Sequence, residues 1–135
     1  MVKITGTYQG QLRTEATHGP SGSRLITDAP IDNHGKGEAF SPTDLLATSL
    51  ATCIVTTMGI VAERNGIDFS TAAFEVTKEM TSTPPRRVAK LTVRITMPAA
   101  LSPESRKRLE AVAKTCPVHH SLHPDVVADV SFDYR

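Results

Sequence analysis

Phe40-Ser41-Pro42-Thr43-Asp44-Leu45-Leu46 opens the stretch that decides the fold, and Arg64-Asn65-Gly66 closes it. Ser41 suits the N-cap, where its hydroxyl accepts from an early backbone N–H. Pro42 suits the first helical position, because its missing N–H is one the helix could not use. Asp44 follows at the third position, where a carboxylate meets free amides and the positive end of the helix dipole. Gly66 takes the left-handed conformation that ends a helix cheaply. Between these signals apolar residues fall on nearly every face until Glu63. The expectation is a helix of about six turns, buried all round. Thr48, Ser49, Thr52, Thr56 and Thr57 interrupt the apolar run from Leu45 to Val61. A bilayer span wants about 20 predominantly apolar residues, so the reading is a core helix and not a membrane segment.

Upstream of the helix the pattern has period two. Residues 2–9 read as a strand, Gln9-Gly10 as a turn, residues 11–18 as a second strand and residues 23–28 as a third. Gly19-Pro20-Ser21-Gly22 separates the last two. The loop from Ala29 to Phe40 carries Pro30, Asn33, Gly35 and Gly37, and its length invites a functional reading. Downstream, residues 67–81 and 88–97 read as two long strands around the breaker Thr83-Pro84-Pro85. Ser102-Pro103-Glu104 starts a second helix by the same capping logic, with Leu109, Val112 and Ala113 inward and Cys116 at the next turn. Pro117 suits the start of a further short helix, and residues 126–134 form a last strand. The order is β-β-β-α-β-β-α-β, an α+β arrangement in one domain spanning residues 1–135.

Composition excludes several function classes. Fifteen basic and fourteen acidic residues leave a net charge of +1, with no basic stripe for nucleic acid or an anionic membrane surface. The start Met1-Val2-Lys3-Ile4 lacks the charged and apolar regions of an export signal. Two widely spaced cysteines without such a signal fit a reducing, cytoplasmic setting. No cofactor motif is present: there is no glycine-rich phosphate loop and no Cys-x-x-Cys.

The chemistry-bearing residues are therefore the cysteines. Cys53 lies in the middle of the apolar helix, where a thiol is most often an inert core side chain. Only a distant Arg or His brought close by the fold could activate it. Cys116, at a helix end in Cys116-Pro117-Val118-His119-His120, is expected to be accessible and able to move. Cys116 with two of His119, His120 and His123 supplies a zinc-like donor set, but no second short-spaced ligand pair completes it, so no metal is assigned.

The stretch Phe40 to Leu46, followed by small and apolar residues up to Cys53, resembles the OsmC/Ohr family of hydroperoxide-resistance proteins. Thr115-Cys116-Pro117-Val118 resembles it too. The resemblance covers the whole chain. It implies an intertwined homodimer with long central helices packed against antiparallel sheets. It also implies a thiolate at Cys53 that attacks the peroxide bond, a resolving thiol at Cys116, and a dithiol reductant of unknown identity. In the family an Arg from the N-terminal strands activates the thiolate; Arg13 is the best match and Arg24 the rival. A Glu directly after the helix-start Pro orients that Arg. Thr43 stands at that place here; Asp44, one residue later, either only caps the helix or replaces the Glu, and Glu15, from the strand side, is the other candidate. A small-molecule binding or redox-sensing protein on the same fold is the alternative reading.

Overall fold

In the computed structural model, which describes residues 1–135, six strands and three helices follow the expected order. They are β1 (Ile4–Gly10), β2 (Arg13–His18), β3 (Arg24–Asp28), α1 (Pro42–Arg64), β4 (Ala73–Met80), β5 (Val88–Met97), α2 (Pro103–Ala113), α3 (Pro117–Ser121) and β6 (Val127–Tyr134). A single 3-10 turn at Ile31–Asn33 interrupts the loop before α1. The chain divides into two compact units, Met1–Leu46 and Ala47–Arg135.

The first unit holds an antiparallel sheet in the order β1-β2-β3. The hairpin turn falls two residues later than the sequence suggests. Gly10, Gln11 and Leu12 all take positive φ, 84°, 52° and 64°. Gln11 and Leu12 leave the extended region, so β2 starts only at Arg13. The Leu12 N–H donates to the Tyr8 hydroxyl, 3.3 Å away, and the Ala29 N–H donates to the Leu12 carbonyl. Gly35 is obligatory in the following loop, because a Cβ there would overlap the Ala29 carbonyl. Ser41 and Asp44 form a reciprocal cap at the start of α1. The Asp44 N–H donates to Ser41 Oγ at 3.0 Å, and the Ser41 N–H donates to Asp44 Oδ2 at 2.9 Å.

The second unit holds the sheet β4-β5-β6. β4 and β5 are antiparallel, while β5 and β6 are parallel and joined by the crossover through α2 and α3. β4 begins at Ala73 instead of residue 67. Asp68 accepts from the Ser70 N–H at 3.0 Å and from its hydroxyl at 2.7 Å, and this local turn competes with an extended strand. Leu91, Val93, Ile95 and Met97 alternate inward on β5 and are fully buried, together with Leu109 and Ala113 of α2. Helix α1 contributes Leu50, Ala51, Ile54, Met58 and Ala62 to the same core.

This stripe corrects the expectation that α1 is buried all round. Within one chain only six of its 23 residues are buried. Thr52 and Thr56 are exposed, and Ile60 on the same side is 46% exposed. The apolar sequence on the remaining faces is therefore not explained by the core of a single chain. By length and composition α1 could cross a membrane, but core helices of water-soluble proteins meet the same test.

Candidate active site

Cys53 and Cys116 come together in the second unit. Cys53 sits in the fourth turn of α1, one residue before the buried Ile54 and three before the exposed Thr56, and its side chain is half-buried. Its carbonyl accepts from the Thr57 hydroxyl at 2.8 Å, which satisfies that hydroxyl within the helix. Cys116 lies between α2 and α3 and is fully buried. Both cysteines are free thiols, and they are near enough for Cys53 to raise the pKa of the Cys116 thiol.

The exposures are the reverse of the expectation. Cys116 does not wait at an open helix end. It is the N-cap of α3, and its Sγ accepts from the His119 N–H at 3.3 Å. That bond, with Pro117 at the first helical position, draws the thiol inward. Burial pushes the Cys116 thiol above its ordinary pKa, and Cys53 pushes it further, against the opposing pull of the His119 N–H.

The histidines near Cys116 do not form a ligand set. The rings of His119 and His120 stack at 6.1 Å, and the chain gathers no group of three or more His, Cys, Asp or Glu arranged to hold a metal ion.

The candidate cations lie in the first unit. Arg13 stands directly across the β2/β3 ladder from Asp28. Its Nε donates to Asp28 Oδ1 at 2.7 Å and its Nη2 to Asp28 Oδ2 at 2.8 Å. Nη2 also donates to Glu38 at 3.1 Å. The hydrogen bonds and charge of Asp28 hold the Arg13 guanidinium even more firmly charged than usual. The same bonds hold the Asp28 carboxyl below its ordinary range, despite its burial. Arg24, the rival, is mostly exposed and lies 3.6 Å from Glu15. Asp44 is engaged in the cap described above, and Thr43 lies beside Ser41 Oγ at 3.2 Å.

Sequence reasoning missed Asp28 and Glu38. Asp28 reads as a strand end and Glu38 as one polar residue of a loop. The one available signal was the strand alternation, which puts residues 13 and 28 on one face once the turn is placed correctly.

Two clefts flank this network. One of about 290 Å³ is polar and lined by Gln9, Gly10, Gln11, Arg13 and Lys36. The other, of about 250 Å³, runs past Asp28 along Tyr8, Leu12, Ala29 and Pro30.

Comparison with known proteins bears on the whole arrangement. A family model described as OsmC-like protein matches residues 35–131. A Psychrobacter arcticus 273-4 protein, provisionally assigned to osmotic stress induction and detoxification response, is 49% identical. Its structure superposes with a TM-score of 0.92 over 98% of this chain and 96% of that one. An organic hydroperoxide resistance protein OsmC from Legionella pneumophila is 20% identical, with a TM-score of 0.74 over 98% and 96%. The organic hydroperoxide resistance protein OhrB of Bacillus subtilis is 16% identical, with a TM-score of 0.69 over 98% of each chain. The last two likenesses are of fold. No protein with a curated description matches the sequence.

Proposed function

The chain belongs to the OsmC-like protein family, and on that footing we propose that it is a thiol-dependent peroxidase that reduces organic hydroperoxides. The observation that carries the reading is the proximity of two free thiols, one half-buried and one fully buried, in a chain without other cysteines. The Cys53 thiolate attacks one oxygen of the hydroperoxide. The O–O bond breaks, the alkoxide leaves and takes a proton, and Cys53 becomes a sulfenic acid. Cys116 then displaces its hydroxyl as water and closes a disulfide. A dithiol reductant restores both thiols by exchange and is itself oxidised. Cys53 is the peroxidatic thiol because it is the more exposed of the two, and Cys116 resolves because it is the neighbouring thiol, giving up its proton as it attacks the sulfenic sulfur.

Arg13 is the cation of this scheme on the strength of the family resemblance, and its firmly held charge suits the role. Asp44 is assigned to the helix cap. The substrate is organic because Cys53 lies among the small and apolar residues of α1, which suit an alkyl or aryl body better than a bare peroxide.

A homodimer accounts for the apolar surface that one chain leaves uncovered. Ile4 and Tyr8 of β1 are each 66% exposed, and Ile60 of α1 lies open. A two-fold partner, the commonest oligomer, covers such faces.

Intact mass after one equivalent of cumene hydroperoxide tests the chemistry. A loss of about two mass units that dithiothreitol reverses is the expected result. Two thiols left free after that treatment would overturn the peroxidase reading and favour a binding protein.

A further inference from the structure

All three helices open on one device. Ser41-Pro42, Ser102-Pro103 and Cys116-Pro117 each put a short acceptor side chain at the N-cap and a proline directly after it. Each acceptor takes the N–H three residues on. Asp44 donates to Ser41 Oγ at 3.0 Å, Ser105 to Ser102 Oγ at 3.1 Å and His119 to Cys116 Sγ at 3.3 Å. The third cap differs in its chemistry. A thiol sulfur is the weaker acceptor, and unlike a hydroxyl oxygen it can be bonded reversibly to a second sulfur. Cys53 lies in the same compact unit, near enough for the two thiols to sense each other.

We propose that α3 is a redox-sensitive latch, fastened by the Cys116 thiol in the reduced protein and released when Cys116 Sγ bonds to Cys53. This rests on the peroxidase reading above for its oxidant, an organic hydroperoxide. The peroxide takes two electrons and becomes an alcohol and water, and the two thiols lose their protons and become the disulfide. Both sulfurs are free in this structure. Non-bonded atoms stand at least about 3.5 Å apart and disulfide sulfurs about 2.05 Å, so the bond needs a closure of more than about 1 Å. That movement falls on the Cys116 side. Cys53 is fixed in the middle of a 23-residue helix. Cys116 stands in extended backbone between two helices, and the α3 helix after it has only five residues. A helix of one turn has no stability of its own. It is held by the Sγ cap, by the His120 N–H on the Cys116 carbonyl at 3.2 Å and by the Ser121 hydroxyl on the Pro117 carbonyl at 2.8 Å. Once Sγ is drawn to Cys53, the His119 N–H loses its acceptor and the turn loses its fastening. None of the residues of α3 is buried, so it loosens without opening the core. Pro117, His120 and Ser121 are exposed, and the redox state of the buried pair is thereby written on the surface.

Amide hydrogen exchange of the full-length protein, reduced and oxidised, tests the latch. Cumene hydroperoxide is one oxidant. Diamide is the other, because it takes two electrons and two protons from a thiol pair without peroxide chemistry. Intact mass reports whether the disulfide has formed. Oxidation is expected to speed exchange at His119, His120 and Leu122 about 5- to 10-fold, the scale of one lost helix cap, while β5 stays unchanged. Dithiothreitol is expected to reverse the change. In Cys53→Ser neither oxidant should alter α3. Cys116→Ala removes the cap and should exchange fast when reduced. Cys116→Ser restores a cap that no oxidant can take, and should exchange slowly throughout.

Equal α3 exchange in the two redox states of the wild type overturns the proposal, as does slow exchange in reduced Cys116→Ala. If Cys116→Ala does not fold, the wild-type comparison decides. Failure of both oxidants to form the disulfide also overturns it. A disulfide formed by diamide but not by the hydroperoxide sinks the peroxidase reading alone, and exchange in the diamide-treated protein then decides the latch.

Discussion

The buried thiol of Cys116 lies near enough to Cys53 to feel it, while its Sγ also caps α3 through the His119 N–H. The raised pKa of Cys116 follows from burial first and from Cys53 second, so replacing Cys53 removes only part of it. In a Cys53→Ser protein the alkylation midpoint of Cys116 is expected to fall yet to stay above that of a free thiol. Peptide-resolved labelling with iodoacetamide across pH measures this. A midpoint unchanged by Cys53→Ser would show that the two thiols do not sense each other.

The same shift makes stability depend on alkaline pH. A thiol whose folded pKa lies above its unfolded value binds its proton more tightly in the folded state. Its contribution is complete below the ordinary thiol value of 9.0 and is lost as pH rises through the folded value. Urea midpoints are therefore expected to drop more between about pH 8 and pH 10 in the wild type than in Cys116→Ser. Parallel losses in both proteins would refute the assignment.

The two cysteines are expected to fail differently. Cys53→Ser abolishes hydroperoxide consumption. Cys116→Ser permits one oxidation and then accumulates sulfenic or over-oxidised Cys53, because no partner thiol condenses with it. Mass spectrometry after stepwise peroxide addition separates these outcomes. Equal residual turnover in Cys53→Ser would reverse or remove the roles.

The Ser41–Asp44 cap gives a stability effect without a catalytic one. Asp44→Ala removes an acceptor for the Ser41 N–H and is expected to cost about 1 kcal/mol, the usual scale for a helix cap. Hydroperoxide turnover per folded molecule should be unchanged. A large fall in kcat with unchanged urea stability would return Asp44 to the catalytic set.

Association is tested by mass. Sedimentation equilibrium is expected to give twice the 14.5 kDa of one chain. Leu50→Ala, in the fully buried stripe of α1, is expected to cost about 2–5 kcal/mol in any assembly state. A concentration-independent single-chain mass would contradict the dimer and leave the open apolar residues of β1 and α1 without a purpose.

The element order was legible because capping and alternation are local signals. Ser41-Pro42-Thr43-Asp44 and Ser102-Pro103 marked both long helices to the residue, and β5 kept the boundaries its alternation suggests. The errors fell where side chains compete with the backbone pattern. Asp68 and Ser70 turned a segment that looked extended, and Gln11 and Leu12 adopted φ values that few residues of their type take. The cysteine pair was legible only through the family resemblance, since no local signal relates positions 53 and 116. The burial of Cys116 was not legible, because a thiol as helix cap is an uncommon use of that side chain. The all-round burial of α1 was over-read: an apolar face tells that something covers it, not that the same chain does.

The parallel pairing of β5 with β6 has a consequence for the newly made chain. Unlike a hairpin, this pairing cannot form until the whole crossover through α2 and α3 has folded back across the sheet. Contacts of that sequence separation are slow to form. Cys116 rides in that crossover. Cys116 therefore takes its place only as that crossover folds, and the proposed redox pair is assembled late in the folding of the chain.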